Sequence, residues 1–398
     1  MRKVHFDGTH RVRRPADTWA VLDAVRDTYG ITRVADVTGM DRLGVPVAKA
    51  VRPGARTVTV TQGGGVSALL ARVSAVMKSL ERWHAEYACP PARVTGTPAR
   101  ELGLPYDVRG LRRNAGSLLT DRTPLDWIAA TDAVTGAGTL VPQDCVRVDH
   151  EAGSLWRPPL LAASTDGLAA GNSHHEAVTH ALYEVVEREC TAAVAAVATE
   201  RRRYVDPRSV SEEPCVRLLR RLADACVWLE IVDVSGRWGL PCFVTRVWSP
   251  DHPVPAVGSG AHSNPATALC RALTESAERR LTAITRSRDD LPGARNTSGA
   301  VPHPAPHPAP SARDGRTVSW QDVAAPAIRF TEDETEALWL AGVVRRITGG
   351  SPVVVDLSTH SAFSVVKVVQ VGSGSAARRG APATGAASRR PAAPEEAG

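Results

Sequence analysis

Lysine is nearly missing from this chain: only Lys3, Lys49, Lys78 and Lys367 stand among 48 basic residues, the others being arginine. A lysine is therefore a marked position here. No basic patch is interleaved with aromatic residues, which argues against nucleic acid as a partner despite a net charge of +6. The longest apolar stretches, such as Thr191–Thr199, are far too short to span a bilayer. The first residues lack the apolar core of a signal peptide, so the expectation is a cytoplasmic protein without a membrane partner. Seven scattered cysteines (89, 145, 190, 215, 226, 242 and 270) include no C-x-x-C, which points to reduced thiols rather than a zinc cluster. Neither a P-loop nor G-x-G-x-x-G is present, and no Ser-His-Asp or Cys-His arrangement supplies a nucleophile.

One helical phrase is present three times: Ser74–Glu86, His180–Ala192 and Arg271–Ala283. Each contains Glu-Arg, at Glu81-Arg82, Glu187-Arg188 and Glu278-Arg279. Three residues before that glutamate stand Glu184 and Glu275 in the later copies, but Lys78 in the first. Residues at i and i+3 share a helix face, so each Glu-x-x-Glu places two carboxylates side by side. They repel each other unless a cation lies between them.

The flanks repeat as well. Thr57–Gln62 alternates like a strand and runs into Gly63-Gly64-Gly65, then Ser67 and a helix to about Tyr87. The apolar Leu160–Ser164 precedes a small-residue turn at residues 166–172, and Ser173 opens a helix to about Thr199, with Ser173-x-x-Glu176 as a capping box. Val227–Val234 and Cys242–Trp248 read as a hairpin, after which Gly258-Ser-Gly260 leads to Asn264-Pro265, a strong helix start. Each cap (Ser67, Ser173, Asn264) lies eleven residues before the Lys78, Glu184 or Glu275 position. An internally repeated strand–turn–helix unit is the expectation. A further helix near Pro15–Tyr29, another near Glu332–Thr348, and strands at Pro352–Leu357 and Ser364–Val371 complete the reading.

On the second helix Glu184 and Glu187 share a face with His180 and Glu176, and Asn172 sits at its entry. Converging carboxylates suit a hard cation such as Mg2+, and a small-residue turn before a helix N-terminus suits an anion. Together these point to a metal-bound nucleotide. For any single helix the alternative is a solvated acidic face.

The phrases Gly167-Leu-Ala-Ala-Gly-Asn-Ser173, Ala181-Leu-Tyr-Glu-Val-Val-Glu-Arg188 and Ala268-Leu-Cys-Arg-Ala-Leu-Thr-Glu275 resemble the YcaO family, ATP-dependent enzymes that activate peptide backbone amides. Gly8-Thr-His-Arg11, Gly30-Ile-Thr-Arg-Val-Ala-Asp36, Thr38-Gly-Met-Asp-Arg42, Gly44-Val-Pro-Val47 and Arg288-Asp-Asp290 resemble more narrowly the branch that works with a TfuA partner. The resemblance implies an α/β (mixed α+β) YcaO-like fold with its repeated units around a central ATP site. That domain would cover residues 1–372, with a Pro/Ala-rich loop at 291–316 and a disordered tail at 373–398.

It also implies ATP and Mg2+ as cofactors, with Glu81, Glu176, Glu184 and Glu187 at the metal positions. Asn172, Arg188, Arg271, Arg11 and Thr18 would contact ATP, with Arg280 and Arg288 as rivals of Arg271. The implied reaction is attack of a nucleophile on a peptide carbonyl, transfer of the γ-phosphoryl of ATP to the oxyanion, and loss of phosphate. It leaves an azoline or, with sulfide delivered by a TfuA-like partner, a thioamide in a precursor peptide. A homodimer is an open option.

Three departures stand out. Lys78 occupies an expected metal-ligand position. Gly64 replaces a lysine of a Gly-Lys-Gly turn. Val371-Gly-Ser-Gly-Ser375 runs into a low-complexity tail where many azoline-forming members end in proline. Lys78 would either bridge to Glu81, reach a phosphate, or expel a metal. The last case leaves a non-catalytic subunit that binds a precursor peptide or partner.

Overall fold

The computed structural model describes residues 1–6, 8–114, 116–148, 160–195, 197–285, 316–324 and 326–372. The expected tail at 373–398 and nearly all of the expected loop lie outside them; Arg316, the last residue of that loop, opens the strand Arg316–Val318. Six α-helices are described: α1 (Pro15–Val25), α2 (Ala68–Tyr87), α3 (His174–Ala195), α4 (Glu213–Asp224), α5 (Pro265–Thr285) and α6 (Asp333–Thr348).

The three expected caps are in place. Ser67 Oγ accepts from Leu70 N (3.3 Å), Ser173 Oγ from Glu176 N (3.1 Å), and Asn264 Oδ1 from Ala266 N and Thr267 N (2.9 and 3.3 Å). Only half of the capping box forms. The Glu176 carboxylate accepts from Asn172 N (3.0 Å), one residue beyond the cap, because it is drawn toward the chain's N-terminal strands. The helix expected at Pro15–Tyr29 ends as α at Val25 and tightens into a 3-10 turn, Arg26–Tyr29, closed by Gly30 in the left-handed region.

A three-stranded antiparallel sheet runs Arg33–Asp36, Val47–Val51, Val60–Gly64. An antiparallel sheet of six orders Val94–Pro98, Pro124–Asp132, Val353–Asp356, Ser364–Val369 and Leu168–Gly171, with Gly138–Pro142 paired to Pro124–Asp132. The third sheet orders His252–Ala261, Cys242–Ser249, Trp228–Asp233, Arg203–Val205 and Arg316–Val318, antiparallel except for the last, parallel pair. The hairpin around residues 235–241 is therefore as expected. Leu160–Ser164 is not a strand: only Leu161 makes an isolated bridge, to Arg113, and the second block's strand is Leu168–Gly171.

The same shift recurs in each block. Segments whose glycines read as turns are the ends of strands: Val60–Gly64, Leu168–Gly171 and His252–Ala261. The physical reason is contact. A Cβ on Gly63 would lie 2.2 Å from Ala75 N, on Gly171 2.5 Å from Ala177 N, and on Gly258 2.1 Å from Ala272 O. None of the three takes the left-handed conformation, so space rather than backbone freedom requires glycine.

Each helix also packs on the strand of the next block. α2 lies against Val60–Gly64 and Leu168–Gly171, α3 against Leu168–Gly171 and His252–Ala261, and α5 against His252–Ala261 and Val60–Gly64. The three blocks thus close into a ring with α2, α3 and α5 around its centre. Cores of Val, Leu and Ala side chains on the outer faces of these helices hold the sheets to them.

Gly63→Ala is expected to destabilise the fold by about 2 kcal/mol or more through overpacking. Gly54→Ala, whose Cβ would meet nothing within 4 Å, should stay within about 0.5 kcal/mol of the native chain. Urea unfolding of both variants checks this; equal stability would refute the contact argument.

Candidate active site

At the centre of the ring lies a cavity of about 670 Å3. Every expected site residue lines it: Arg11, Thr18, Glu81, Asn172, Glu176, Glu184, Glu187, Arg188 and Arg271. Glu275 and Glu278 of the third phrase, outside the expected set, line it too. The signal for them was the repeat itself.

The glutamate of each Glu-Arg pair is gripped by the strand of the next block. Glu81 Oε1 accepts from Ala170 N (2.8 Å), Glu187 Oε1 from Ser259 Oγ (2.7 Å), and Glu278 Oε2 from Gly64 N (3.0 Å). The glutamate three residues before it, in the second and third phrases, turns to its own block. Glu184 Oε2 accepts from Gly167 N (3.3 Å), and Glu275 Oε2 from Ser259 N and Oγ (2.7 and 3.1 Å). Arg188 and Arg279 lie one turn on and donate to Glu184 and Glu275 (3.3 and 2.7 Å).

Lys78 breaks this order. Its Nζ donates to both oxygens of Glu278, at 2.7 and 2.8 Å, across from α2 to α5. The bridge to Glu81, one of the three options for Lys78, does not form; Glu81 accepts from Ala170 N instead.

Glu176 accepts from Val12 N (2.7 Å) and from Asn172 N and Nδ2 (3.0 and 2.9 Å), and Arg11 Nε approaches it at 3.8 Å. Thr18 Oγ1 donates to Asn172 Oδ1 (2.9 Å), so the two expected polar contacts form one buried unit. Arg271 makes no hydrogen bond or ion pair with another described residue, yet its charge acts on Arg11, His180 and Glu187. Arg280 is fully buried and held by Asp41 (2.9 Å) and Asp251 (3.2 Å), which assigns it to the core. Arg288 lies outside the described residues.

Charge is poorly matched along the acidic wall. Burial, with the neighbouring Glu184 carboxylate adding to it, pushes Glu81 up to about 8. Burial likewise raises Glu184, and burial with the Glu275 charge raises Glu187. Glu275 stays low despite burial because Arg279 and Arg188 face it. His180 is held neutral by burial and by Arg271 and Arg11. Carboxylates raised by burial and by one another would be relieved by a cation, and an all-oxygen donor set of this kind fits Mg2+. Arg11 and Arg271, lining the same cavity, fit an anion.

A linkage follows for Glu81. Its proton is held to about 8 in the fold against an ordinary value of 4.5, so the fold binds more protons than the unfolded chain between these values. Stability contributed through this group falls as pH rises across that window. Relative to Glu81→Gln, the metal-free native chain is expected to lose melting temperature from pH 5 to 8, and added Mg2+ to restore it. A flat difference across this range would show that Glu81 titrates normally.

Residues 62–372 match the family model described as YcaO cyclodehydratase, ATP- and Mg2+-binding. An uncharacterized protein of Mycobacterium tuberculosis is 42% identical over 292 residues, 73% of this chain; the match spans 66% of that relative, just under two thirds of its length. An uncharacterized protein encoded in the tfuA 3' region of Rhizobium leguminosarum bv. trifolii is 35% identical over 296 residues, 71% of this chain and 69% of that one. The fold is similar to that of YcaO from Methanopyrus kandleri bound with AMPPCP and Mg2+ (TM-score 0.66, 23% identity, 93% of this chain and 94% of that one). No helix among the described residues is long and apolar enough to cross a membrane. The ring, its carboxylate wall and the match over most of the chain agree: this protein belongs to the YcaO family, whose domain binds ATP and Mg2+.

Proposed function

We propose that this chain binds Mg2+-ATP in the central cavity and uses it to activate backbone amides of a ribosomally made precursor peptide. The observation that carries this reading is the meeting of glutamates from three helices with Arg11 and with Arg271, which has no hydrogen-bond or ion-pair partner among the described residues, around one cavity. Glu81, Glu184 and Glu187 would hold Mg2+, with Glu176 beside Arg11 at the edge. Arg271, Arg11 and Arg188 would face phosphate, and Asn172 with Thr18 would fix the nucleotide's remaining polar edge. When bound, ATP supplies the phosphoryl group that turns a carbonyl oxygen into a leaving group. The protein contributes position and charge, and needs no nucleophile of its own.

Thioamide formation with a TfuA-like partner is our reading of the product, supported by the N-terminal phrases and by the tfuA-region relative. Attack of sulfide on the carbonyl carbon, phosphorylation of the oxygen and departure of phosphate balance that conversion. Azoline formation would use a side-chain thiol or hydroxyl of the peptide in place of sulfide. The catalytic unit in this proposal is residues 1–372, acting in the cytoplasm.

A second reading rests on the Lys78–Glu278 pair. An ammonium seated against Glu278 removes one carboxylate from metal binding, as a non-catalytic subunit that only holds the peptide would allow. Against it, the pair leaves Glu81, Glu184, Glu187 and Glu275 facing the cavity.

Phosphate release from ATP, measured with the precursor peptide and Mg2+, separates the two. The native chain is expected to turn over, and Arg271→Ala to lower the rate by about a hundredfold, the loss typical of one charge-stabilising donor. Lys78→Glu is expected to lower it about tenfold, since it sets two carboxylates against each other at a site built around an ammonium. An inactive native chain that Lys78→Glu brings to life would establish the subunit reading instead.

A further inference from the structure

Outside the cavity a second polar cluster is buried where three parts of the fold meet. Glu336, on the first turn of α6, is fully buried and divides its two oxygens between two neighbours. Oε1 accepts from Tyr183 OH (2.6 Å) and Ser263 Oγ (3.3 Å), on α3 and on the segment before α5. Oε2 meets the Lys3 ammonium and lies 3.1 Å from His10 Nε2; Lys3 directly precedes, and His10 lies on, the N-terminal hairpin of Val4–Phe6 and Thr9–Arg11. Lys3 Nζ is also 2.9 Å from His10 Nε2. His262 stacks on Tyr183 and packs edge-on to His10, with ring centroids 4.6 and 4.8 Å apart.

His10, His262 and Glu336 could be taken for a metal site, since their ligand atoms lie within 4.8 Å of one another. The Lys3 ammonium already supplies the cation there. What the cluster holds is the hairpin, and the residue after His10 is Arg11. The next, Val12, gives its N–H to Glu176 in the cavity wall.

We infer that Glu336 is a positioning residue for the nucleotide site: through Oε2 it anchors Lys3 and His10, and so sets the Arg11 guanidinium against the cavity. The inference rests on the reading of the cavity as an ATP site. The division of oxygens makes Glu336→Gln a selective probe. Its remaining oxygen still accepts from Tyr183 and Ser263, while the amide NH2 opposes Lys3.

The test is calorimetric binding of AMPPCP with Mg2+ to the full chain, with melting temperature as the control for folding. Glu336→Gln and Arg11→Ala are each expected to weaken binding about tenfold, the effect of losing one charge-assisted hydrogen bond. The double variant should bind within about twofold of Arg11→Ala alone, because both changes act through one guanidinium. A merely structural role would give additive losses and would overturn the inference. So would unchanged affinity in Glu336→Gln, or stoichiometric zinc in the native protein that His262→Ala removes. Should Glu336→Gln fail to fold, Lys3→Met takes its place, with the same expected loss and the same coupling to Arg11. No binding by the native chain would instead overturn the ATP reading, and this inference with it.

Discussion

Three glutamates of the cavity wall, each on one helix and each bonded to the next block's strand, are the contact on which the rest depends. Glu81 with Ala170, Glu187 with Ser259 and Glu278 with Gly64 turn three separate strand–helix units into a closed ring. Placing carboxylates at the centre of a fold is costly, because burial disfavours the charged form and the neighbours share its sign. The raised values of Glu81, Glu184 and Glu187 record that cost. A fold that retains such a wall needs a cation there, and the ring geometry aims all three helices at one cavity to receive it.

The ring also explains the glycines. For a glutamate on one helix to reach the next strand, each strand must lie nearly in backbone contact with its own helix. Gly63, Gly171 and Gly258 permit that approach, and any side chain would hold strand and helix apart. The same demand bears on Gly64, whose N–H is spent on Glu278 and whose Cβ would sit 2.9 Å from Thr274 O. Lys78 then answers two losses at once. It supplies a cation to Glu278, the glutamate that reaches across to the strand of the first block, and it stands near Gly64, where the resemblance implies lysine.

Around this centre the remaining elements act as supports. The N-terminal hairpin brings Arg11 to the wall, and α6 clamps it from behind through Glu336 while Asp333 receives the Ser173 cap of α3. Lys367, buried on the strand Ser364–Val369, donates to Ser164 O and Asp166 O and so fixes the loop from which Gly167 N–H reaches Glu184. Asp166 in turn faces Arg188 (3.5 Å).

Local chemistry alone determined the three caps, the helices that follow them and the shared face of Glu184 and Glu187, because capping and helical spacing are short-range properties. It also determined the family, since ordered phrases such as that ending in Arg188 are long enough to be specific. Strand positions were misread wherever glycine stood: a Gly-rich end looks like a turn until the helix packed on it is known. Asn172 and Thr18, 154 residues apart in sequence, became one unit only through folding. So did the choice of Glu278 over Glu81 as the partner of Lys78, which is 200 residues from Glu278 and three from Glu81. An ammonium on a flexible stem goes to the carboxylate that the closed ring brings opposite it, and ring closure is a long-range event that no window of sequence contains.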